Sequence, residues 1–528
     1  QKRLAPHHYQ CSKRSTSKEI EAVFKRAIDK QVSAYGDTLC FVFMDEAGLP
    51  EEERESLKVL HYYLEDHMSR PAQVGFVAIT NHVLDAAKSN RCAILLRAEP
   101  GHDELMQIAW GCLEAPDHSD ARRKLETQQV PGLHLRVPQC LERLCVSYQN
   151  LMSDTVSAEH GLGWFNTFFG LRDFMQFVKL LSRLSKDSLL GLEHILHALE
   201  RNMNGVDAAR LQKLLLYWLE ALGVEEVAAH ALVGADSRPT LRNPFLLMRE
   251  SLAEQALSDT PISRYKLLID TTSDESILRR LMQQDRRDLD TVRGDGTRCG
   301  ASVLKLSLLP EDSGLQQVNL VSSAKYAAEK GETVVLSQTE TINESFYDLF
   351  NQHFQRIEHR EPRVGLQLTP AAGGVRAKLH RGSVQTNAYF AHIAIGSHSK
   401  LCRVSQGFQA IVHMRDLELR DAPAPFLNRF EKYRLTHAHL LKAHLLERAL
   451  PPGFVSLVLK VMAKTHSLLD FMAVRCFYGA CKDQTVESIV LDVVVETFGS
   501  LADVTRCAAF RALQQLSEQD PIVLAVQV

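Results

Sequence analysis

Two carboxylates at the end of an apolar run are the first residues here whose type and spacing could do chemistry. In Phe41-Val-Phe-Met-Asp45-Glu46, four apolar residues are followed by Asp and Glu. A buried strand of this kind delivers both acids at its carboxyl end, where ligands bind in open α/β sheets. Asp45 suits Mg²⁺, a hard cation that takes oxygen ligands and keeps much of its water. Glu46 suits the polarising of an attacking water. That reaction, phosphoryl transfer, depends mainly on positioning and charge stabilisation. The pattern is a Walker B strand. The plain alternative is a strand that merely ends in two acids.

Further residues extend the pattern. Gly75-Phe-Val-Ala-Ile-Thr-Asn81 reads as a second strand ending in a polar amide. Asn81 is expected beside the first strand as a sensor 1 residue, holding the lytic water. Arg91 opens the following turn, where an arginine finger would reach a neighbouring nucleotide and neutralise transition-state charge. A solvated surface arginine is the alternative. Phe168-Phe-Gly-Leu-Arg172-Asp173 resembles a sensor 2 segment, in which Arg172 would touch the γ-phosphate and couple hydrolysis to lid motion. An Arg–Asp pair at a helix start would look the same. The catalytic set is thus Glu46, Asn81, Arg91 and Arg172. Asp45 holds Mg, and Asp45 with Glu46 contacts the ATP cofactor.

No G-x-x-x-x-G-K-[ST] loop occurs in the 528 residues. That loop supplies most phosphate contacts and precedes Walker B in AAA+ order. It is expected just before Gln1, and this chain alone is expected to bind ATP poorly. Gln1 in place of Met, and the apolar end Ile522-Val-Leu-Ala-Val-Gln-Val528, read as cut ends of something longer.

The elements that must position these residues follow from periodicity. Asp37 to Met44 and Val74 to Thr80 read as buried parallel strands, with helical spacing over Glu51 to His67 between them. That order is an α/β crossover. Asp103 to Leu222 is helical, and Arg238 to Asn243 is a polar break. A second α/β stretch follows: strand Tyr265 to Asp270, helix Ser273 to Gln284, strand Thr333 to Leu336 and helix Ile342 to Phe354. Strands are expected near Phe390 to Ile395 and Gln409 to His413. Glu358 to Gln385, with Ala371-Ala-Gly-Gly374, reads as a polar loop, and the chain after Phe430 as helix.

The fold class is therefore α/β, with tandem AAA+ P-loop ATPase units, each an α/β core with a helical lid. The expected divisions are 1–102 for a core without its P-loop, 103–240 for its lid, 241–435 for a second core and 436–528 for a lid or linker. The second core looks degenerate. Asp270-Thr-Thr-Ser-Asp-Glu-Ser276 stands at the P-loop position without Gly-Lys. Thr333-Val-Val-Leu-Ser-Gln338 stands at the Walker B position without Asp-Glu. Pro425-Phe-Leu-Asn-Arg429-Phe430 keeps the outline of an arginine-finger turn, which suits a structural ring position with Arg429 contributing in trans, or a fold retained for packing.

Composition narrows the class. The chain is 45% hydrophobic and 24% charged, with a net charge of −3. Those are ordinary globular values, and the length suggests about three or four structural units. No basic excess points to nucleic acid, no apolar run reaches the ~18 residues of a membrane span, and no signal peptide opens the chain. The eleven cysteines include no C-x-x-C pair and read as buried reduced thiols of a cytosolic protein. His7, His8 and Cys11 form the only close His/Cys group, a weak zinc signal.

Longer tracts carry a resemblance. Tyr9-Gln-Cys-Ser, Phe43-Met-Asp-Glu-Ala-Gly-Leu-Pro-Glu-Glu, Leu57-Lys-Val-Leu-His-Tyr-Tyr-Leu-Glu-Asp66, Gly75 to Arg91 and Phe168 to Asp173 resemble the mysterin family, giant dynein-like AAA+ RING-finger ubiquitin ligases. So do Ile395-Gly-Ser-His-Ser-Lys-Leu-Cys-Arg-Val404, Pro425 to Lys432 and Phe477-Tyr-Gly-Ala. The likeness runs over nearly the whole chain. It implies the third AAA unit, minus its P-loop, and the fourth. It also implies ubiquitin-conjugating enzyme and protein substrates as partners, zinc only in RING and other domains outside this chain, and a cytoplasmic protein with lipid droplets as one site. His82-Val83 and Cys92-Ala93 depart from the family pattern. A non-hydrolysing scaffold, or a dynein-like or MoxR-like remodeller without ligase activity, are the competing readings.

Overall fold

The computed structural model describes residues 3–443, except 35, 51–54, 66–70, 82–83, 116, 187, 236–237, 240, 257–262, 273–274, 284–290, 293–297, 307–312, 353, 372–373, 396–397, 406, 437–438 and 441–442. His82-Val83, Phe477-Tyr-Gly-Ala and the expected helical segment 444–528 lie outside the described residues. Apart from two-residue strands and single 3-10 turns, the order begins β1 (Arg3–Gln10), α1 (Ser17–Ser33), β2 (Thr38–Asp45), α2 (Val59–Tyr63), β3 (Gly75–Ala78) and α3 (Ala86–Ser89). Helices follow: α4 (His102–Cys112), α5 (Asp120–Thr127), α6 (Val137–Met152), α7 (Asp154–Glu159), α8 (Phe165–Phe168), α9 (Leu171–Leu184), α10 (Leu192–Asn202), α11 (Ala208–Ala221), α12 (Glu226–Val233) and α13 (Pro244–Ala256). Then come β4 (Lys266–Asp270), α14 (Ser276–Gln283), β5 (Ser302–Lys305), α15 (Ser313–Lys330), β6 (Thr333–Ser337) and α16 (Tyr347–Asn351). The order closes with β7 (Gln355–Ala371), β8 (Gly374–Ile395), β9 (His398–Val404), β10 (Gln409–Arg415), α17 (Ala424–Leu427) and β11 (Glu431–Leu435).

The chain divides into two compact units, one holding Gln1–Ala98 and Thr291–Gln409, the other Glu99–Ser258, Ile262–Asp290 and Ala410–Val528. In the first unit β1, β2 and β3 form a parallel sheet with β2 in the middle. The apolar spacing of α1 places Ile20, Val23, Phe24, Ala27 and Ile28 on one buried face, the i, i+3, i+4 pattern of a helix that covers a sheet. These side chains share a core with Val42, Met44 and Leu60, and Phe24 stacks on Tyr63 with centroids 4.3 Å apart. Burial of each such side chain contributes about 1.5–3 kcal/mol. Gln31 ties the end of α1 to β2, donating to the Thr38 carbonyl at 2.9 Å and accepting from the Cys40 N–H at 2.7 Å.

The opposite face corrects the expectation of buried strands. Leu4, Leu39, Val77 and Ile79 are 66, 45, 44 and 53% exposed. A parallel strand is usually covered on both faces; among the described residues α1 and α2 build the core on one face of this sheet, and these four side chains on the other stay open. The helix expected over Glu51 to His67 is short, a 3-10 turn at Ser56–Lys58 leading into α2.

Elsewhere in this unit β5 and β6 pair in parallel. The stretch from Glu358 to Gln385 is not a loop: β7 pairs antiparallel with β8 from Gln355↔Phe390 to Ala371↔Gly374, and β8 continues against β9. Ladder bonds are made by backbone groups, so polar and Gly-rich composition does not prevent them.

The second unit carries the helices α4 to α13. Its core is aromatic, with Tyr148, Phe165, Phe169, Phe174, Phe177 and Trp218 all buried. In the same unit β4 lies between β10 and β11, parallel to both. The chain after Phe430 is thus first a strand, not a helix. Glu431 and Lys432 disguised it, because their charges are buried and paired rather than solvated. Arg201, with a fully buried side chain, holds Glu431 at 2.6 Å and Glu254 at 2.7 Å, and Lys266 reaches the other Glu431 oxygen at 2.7 Å. Burial alone would raise the Glu431 carboxyl, but Arg201 and Lys266 overcome it and hold it well below the carboxylate range. Burial depresses the Lys266 ammonium to about 8, against the upward pull of Glu431.

Candidate functional site

At the carboxyl end of β2, Asp45 stands in register with Gln10 of β1, and the Cys11 N–H donates to the Asp45 carbonyl at 3.0 Å. The chain then turns sharply. Glu46 has a φ of +52°, a left-handed conformation uncommon outside Gly and Asn, and its N–H donates to Oδ1 of Asp45 at 3.0 Å. The turn is closed from both sides, with Ile79 N–H on the Met44 carbonyl and Ala47 N–H on the Ile79 carbonyl, each at 2.9 Å. These two bonds extend the pairing of β3 past Ala78 and bring Asn81 alongside. Its Nδ2 lies 3.4 Å from Oε2 of Glu46. Asp45, Glu46 and Asn81, separate in the sequence, therefore meet at one end of one sheet.

Within the same unit Arg91 does not join them. Arg91 lies in the same unit, just beyond α3, where its Nε donates to Glu65 at 2.8 Å and NH1 to the Ala87 carbonyl. The Asp85 side chain caps α3 by accepting the Lys88 N–H at 2.9 Å, which fixes the turn that carries Arg91. Arg172 belongs to the second unit, exposed on the first turn of α9. Its neighbour Asp173 is fully buried, accepts the Gly170 N–H at 3.0 Å, and pairs with Arg264 and Lys432 at 2.7 Å each. In the second core Arg429 is buried and donates to the Pro425 carbonyl at 2.8 Å.

Sequence reasoning singled out His8 only as a zinc candidate and passed over His392 and Asp348, which back the site with it. His8 on β1 stacks on His392 of β8, with centroids 5.4 Å apart, and tilts against Phe43 at 5.0 Å. Burial lowers the His8 imidazole, with Asp45 opposing. Burial, then His8, brings His392 down to about 4. Asp348 accepts the His392 N–H at 2.5 Å. Burial pushes its carboxyl up to about 7, and Asp45 adds to the rise. No spacing signal could have found His392 or Asp348, since more than three hundred positions separate them from β1.

The zinc signal at His7, His8 and Cys11 is overturned. Consecutive strand residues point to opposite faces, so the two imidazoles diverge. The Cys11 thiol is buried and its ionisation is pushed far upward by burial and by Asp45 and Glu46. Among the described residues no group of three His, Cys, Asp or Glu could hold a metal ion. Magnesium is a different case. It is commonly bound through one or two carboxylates plus waters and phosphates, and half-buried Asp45 fits that role. The phosphate side is not matched, because the chain lacks a Gly-Lys loop. The described cysteines, Cys11, Cys40, Cys92, Cys112, Cys140, Cys145 and Cys402, are free, and no described helix is long and apolar enough to cross a membrane.

Two family models, each described as an RNF213 AAA domain, match residues 1–104 and residues 254–373 with 379–441. The chain belongs to the RNF213, or mysterin, family. It is 27% identical over 482 residues to E3 ubiquitin-protein ligase RNF213 of Mus musculus, covering 88% of the chain and 8% of that protein. The Homo sapiens E3 ubiquitin-protein ligase RNF213 is 26% identical over 442 residues, 81% of the chain and 7% of the relative. E3 ubiquitin-protein ligase rnf213-beta of Danio rerio is 24% identical over 443 residues, again 81% and 7%. The chain thus spans about 7–8% of the length of these relatives. The helices and parallel sheets are those of the expected α/β class, and both matched regions of this RNF213-family chain are AAA domains.

Proposed function

We propose that this chain carries the magnesium and water-activating half of an ATP-hydrolysing site in the AAA+ region of an RNF213-like ubiquitin ligase. The observation that carries the reading is the meeting of Asp45, Glu46 and Asn81 at the carboxyl end of one parallel sheet, with Asn81 Nδ2 3.4 Å from Glu46 Oε2. In this reading Asp45 is the Walker B ligand of Mg²⁺, Glu46 polarises the lytic water and Asn81 orients Glu46 and that water. Bound ATP would supply the γ-phosphoryl group that passes to water as ADP leaves, and Mg²⁺ would neutralise charge on it. Arg91 acts as a finger toward a neighbouring module once freed from Glu65, and Arg172 serves as the lid sensor. The divisions 1–102, 103–240, 241–435 and 436–528 remain the proposed cores and lids.

The second core is proposed as a structural position. Ser337 and Gln338 occupy the places of Asp45 and Glu46, and the buried Asp270 carboxylate stands at the would-be phosphate end of β4. It accepts from Thr272 N at 2.8 Å and approaches His413 Nε2 at 3.1 Å. A fixed anion there repels phosphate. The names of the relatives support ubiquitin transfer, with a ubiquitin-conjugating enzyme and protein substrates as partners and zinc-dependent ligase domains outside residues 1–528. A cytoplasmic setting with lipid droplets belongs to the same proposal.

The test is ATP turnover by the protein carrying this chain together with its P-loop. Glu46→Gln should lower kcat by roughly 10²–10⁴-fold with little change in KM for ATP. Unchanged kcat would sink Glu46 as the catalytic residue.

A further inference from the structure

The neighbour of β2 is held from outside its own sheet. At its carboxyl end β1 donates the Gln10 N–H to Ser399 Oγ at 3.2 Å, and Gln10 is the register partner of Asp45. Two residues earlier His8 stacks on His392, centroids 5.4 Å apart and planes 22° from parallel. Both contacts lie within the first unit.

His392 is itself locked. Its backbone N–H donates to Asp348 at 2.5 Å. Its Nδ1 is 3.3 Å from Ser399 Oγ, and its Nε2 is 3.2 Å from the Gln355 side-chain amide. The Gln355 amide nitrogen can only donate, so the neutral ring accepts it at Nε2 and carries its hydrogen on Nδ1. Ser399 Oγ then accepts from both the ring Nδ1–H and the Gln10 N–H. One hydroxyl thus joins the backbone of β1 to the ring that stacks on it.

We propose that His392 is a positioning residue for the Asp45–Glu46 pair, through which β8 sets the geometry of hydrolysis at the end of β2. The proposal rests on the reading of Asp45 and Glu46 as the hydrolytic pair. The physical reason is lever-like. Asp45 is fixed by pairing to Gln10, and Glu46 sits on a left-handed turn immediately after. A shift of the end of β1 moves both carboxylates together. A displacement near 1 Å at a catalytic group can cost about a hundredfold in rate. Two flanking contacts, His398 Nδ1 against Glu19 at 2.9 Å and the Lys13–Glu344 ion pair at 2.8 Å, brace the same contact at its surface.

The experiment uses the protein that carries this chain with its P-loop, and counts only ATP turnover abolished by Glu46→Gln. His392→Ala should lower kcat about tenfold while KM for ATP and the melting temperature stay near wild type. His392→Phe, which keeps the stacking face, should restore most of kcat. Should His392→Ala fail to fold, His8→Ala, which removes the stack from the other side, should show the same kcat loss. Wild-type kcat in the Ala variants would overturn the proposal. So would a loss that tracks the folded fraction and is not restored by Phe. Insensitivity to Glu46→Gln itself would instead remove the underlying reading of the site. Sensitivity to Glu46→Gln with indifference to His392→Ala defeats this inference alone.

Discussion

After β2 the chain turns at Glu46 with φ +52°, and after β6 it turns at Gln338 with φ +56°. Both strands are parallel, and both end in a residue that most side chains avoid in this backbone region. Only the chemistry differs: Asp45-Glu46 in one, Ser337-Gln338 in the other. The second turn therefore has the same left-handed backbone without a carboxylate on it. At the end of β4 the Asp270 carboxylate is bound into its own turn by Thr272 N at 2.8 Å. Similar backbone at two strand ends thus does not imply similar chemistry, because packing sets the turn and the side chain sets the charge.

Exchange of the two pairs tests the contrast most strongly. Asp45→Ser with Glu46→Gln should cut ATP turnover of the P-loop-bearing protein by at least roughly 10²–10⁴-fold. Ser337→Asp with Gln338→Glu should add nothing, because no Gly-Lys loop occurs in the chain to hold a phosphate beside that strand. Steady-state phosphate release reads both, and a gain from the second exchange would break the comparison.

The two units also differ in what they bury. The core around α1 is apolar, whereas Arg201 and Glu431 put opposite charges at the centre of the other unit. Removing one partner leaves the other buried and uncompensated. Arg201→Leu should therefore cost about 3–5 kcal/mol, seen as a lower urea midpoint. A loss below about 1 kcal/mol would mean that water reaches Glu431.

Asp348 offers a pH-dependent test. Its carboxyl is raised to about 7 by burial, with Asp45 adding to the effect. Between the ordinary carboxylate value and that pH, the folded protein keeps the proton and the unfolded chain releases it. Stability therefore falls as pH rises through this window and levels off above it. Asp348→Asn should remove the fall and raise stability at pH 8 by roughly 2–4 kcal/mol, at about 1.4 kcal/mol per pH unit of separation. It should change little at pH 4. Melting temperatures of both proteins across that range give the answer, and parallel curves would contradict it.

The smallest effect concerns the shared turn. A non-Gly residue in this conformation costs about 1–3 kcal/mol, and Gly returns about 0.5–1 kcal/mol of that as chain entropy. Glu46→Gly and Gln338→Gly should each stabilise the chain by about 1 kcal/mol in urea melts. The first should also abolish hydrolysis. Stabilisation at one turn only would separate the two strand ends.

Much of this was legible in the residues. The apolar run before Asp45, the strand before Asn81 and the helical stretch beyond Asp103 announce themselves by periodicity, and the structure has them within a few residues. β11 did not, because Glu431 and Lys432 look solvated until their partners are known. The β7–β8 ladder did not either, because its bonds are made by backbone groups that composition does not report. The open face of the first sheet could not be read, since burial of an apolar strand depends on what covers it. Glu46 and Asn81 were legible as candidates, but their approach to 3.4 Å came from the register of β2 and β3.

Local chemistry is a property of residue type and spacing, so the sequence by itself determined that Asp45 and Glu46 stand where one strand ends, that Asn81 closely follows another and that no phosphate loop accompanies them. Only the tertiary structure decided which distant groups back them. The stack of His392 on His8, the burial of Asp348 near Asp45, the pairing of Arg91 with Glu65 and the enclosure of Asp173 all depend on chain crossings in three dimensions. In each case the deciding quantity is desolvation or a distance between residues far apart in the chain, and neither is encoded at a single position.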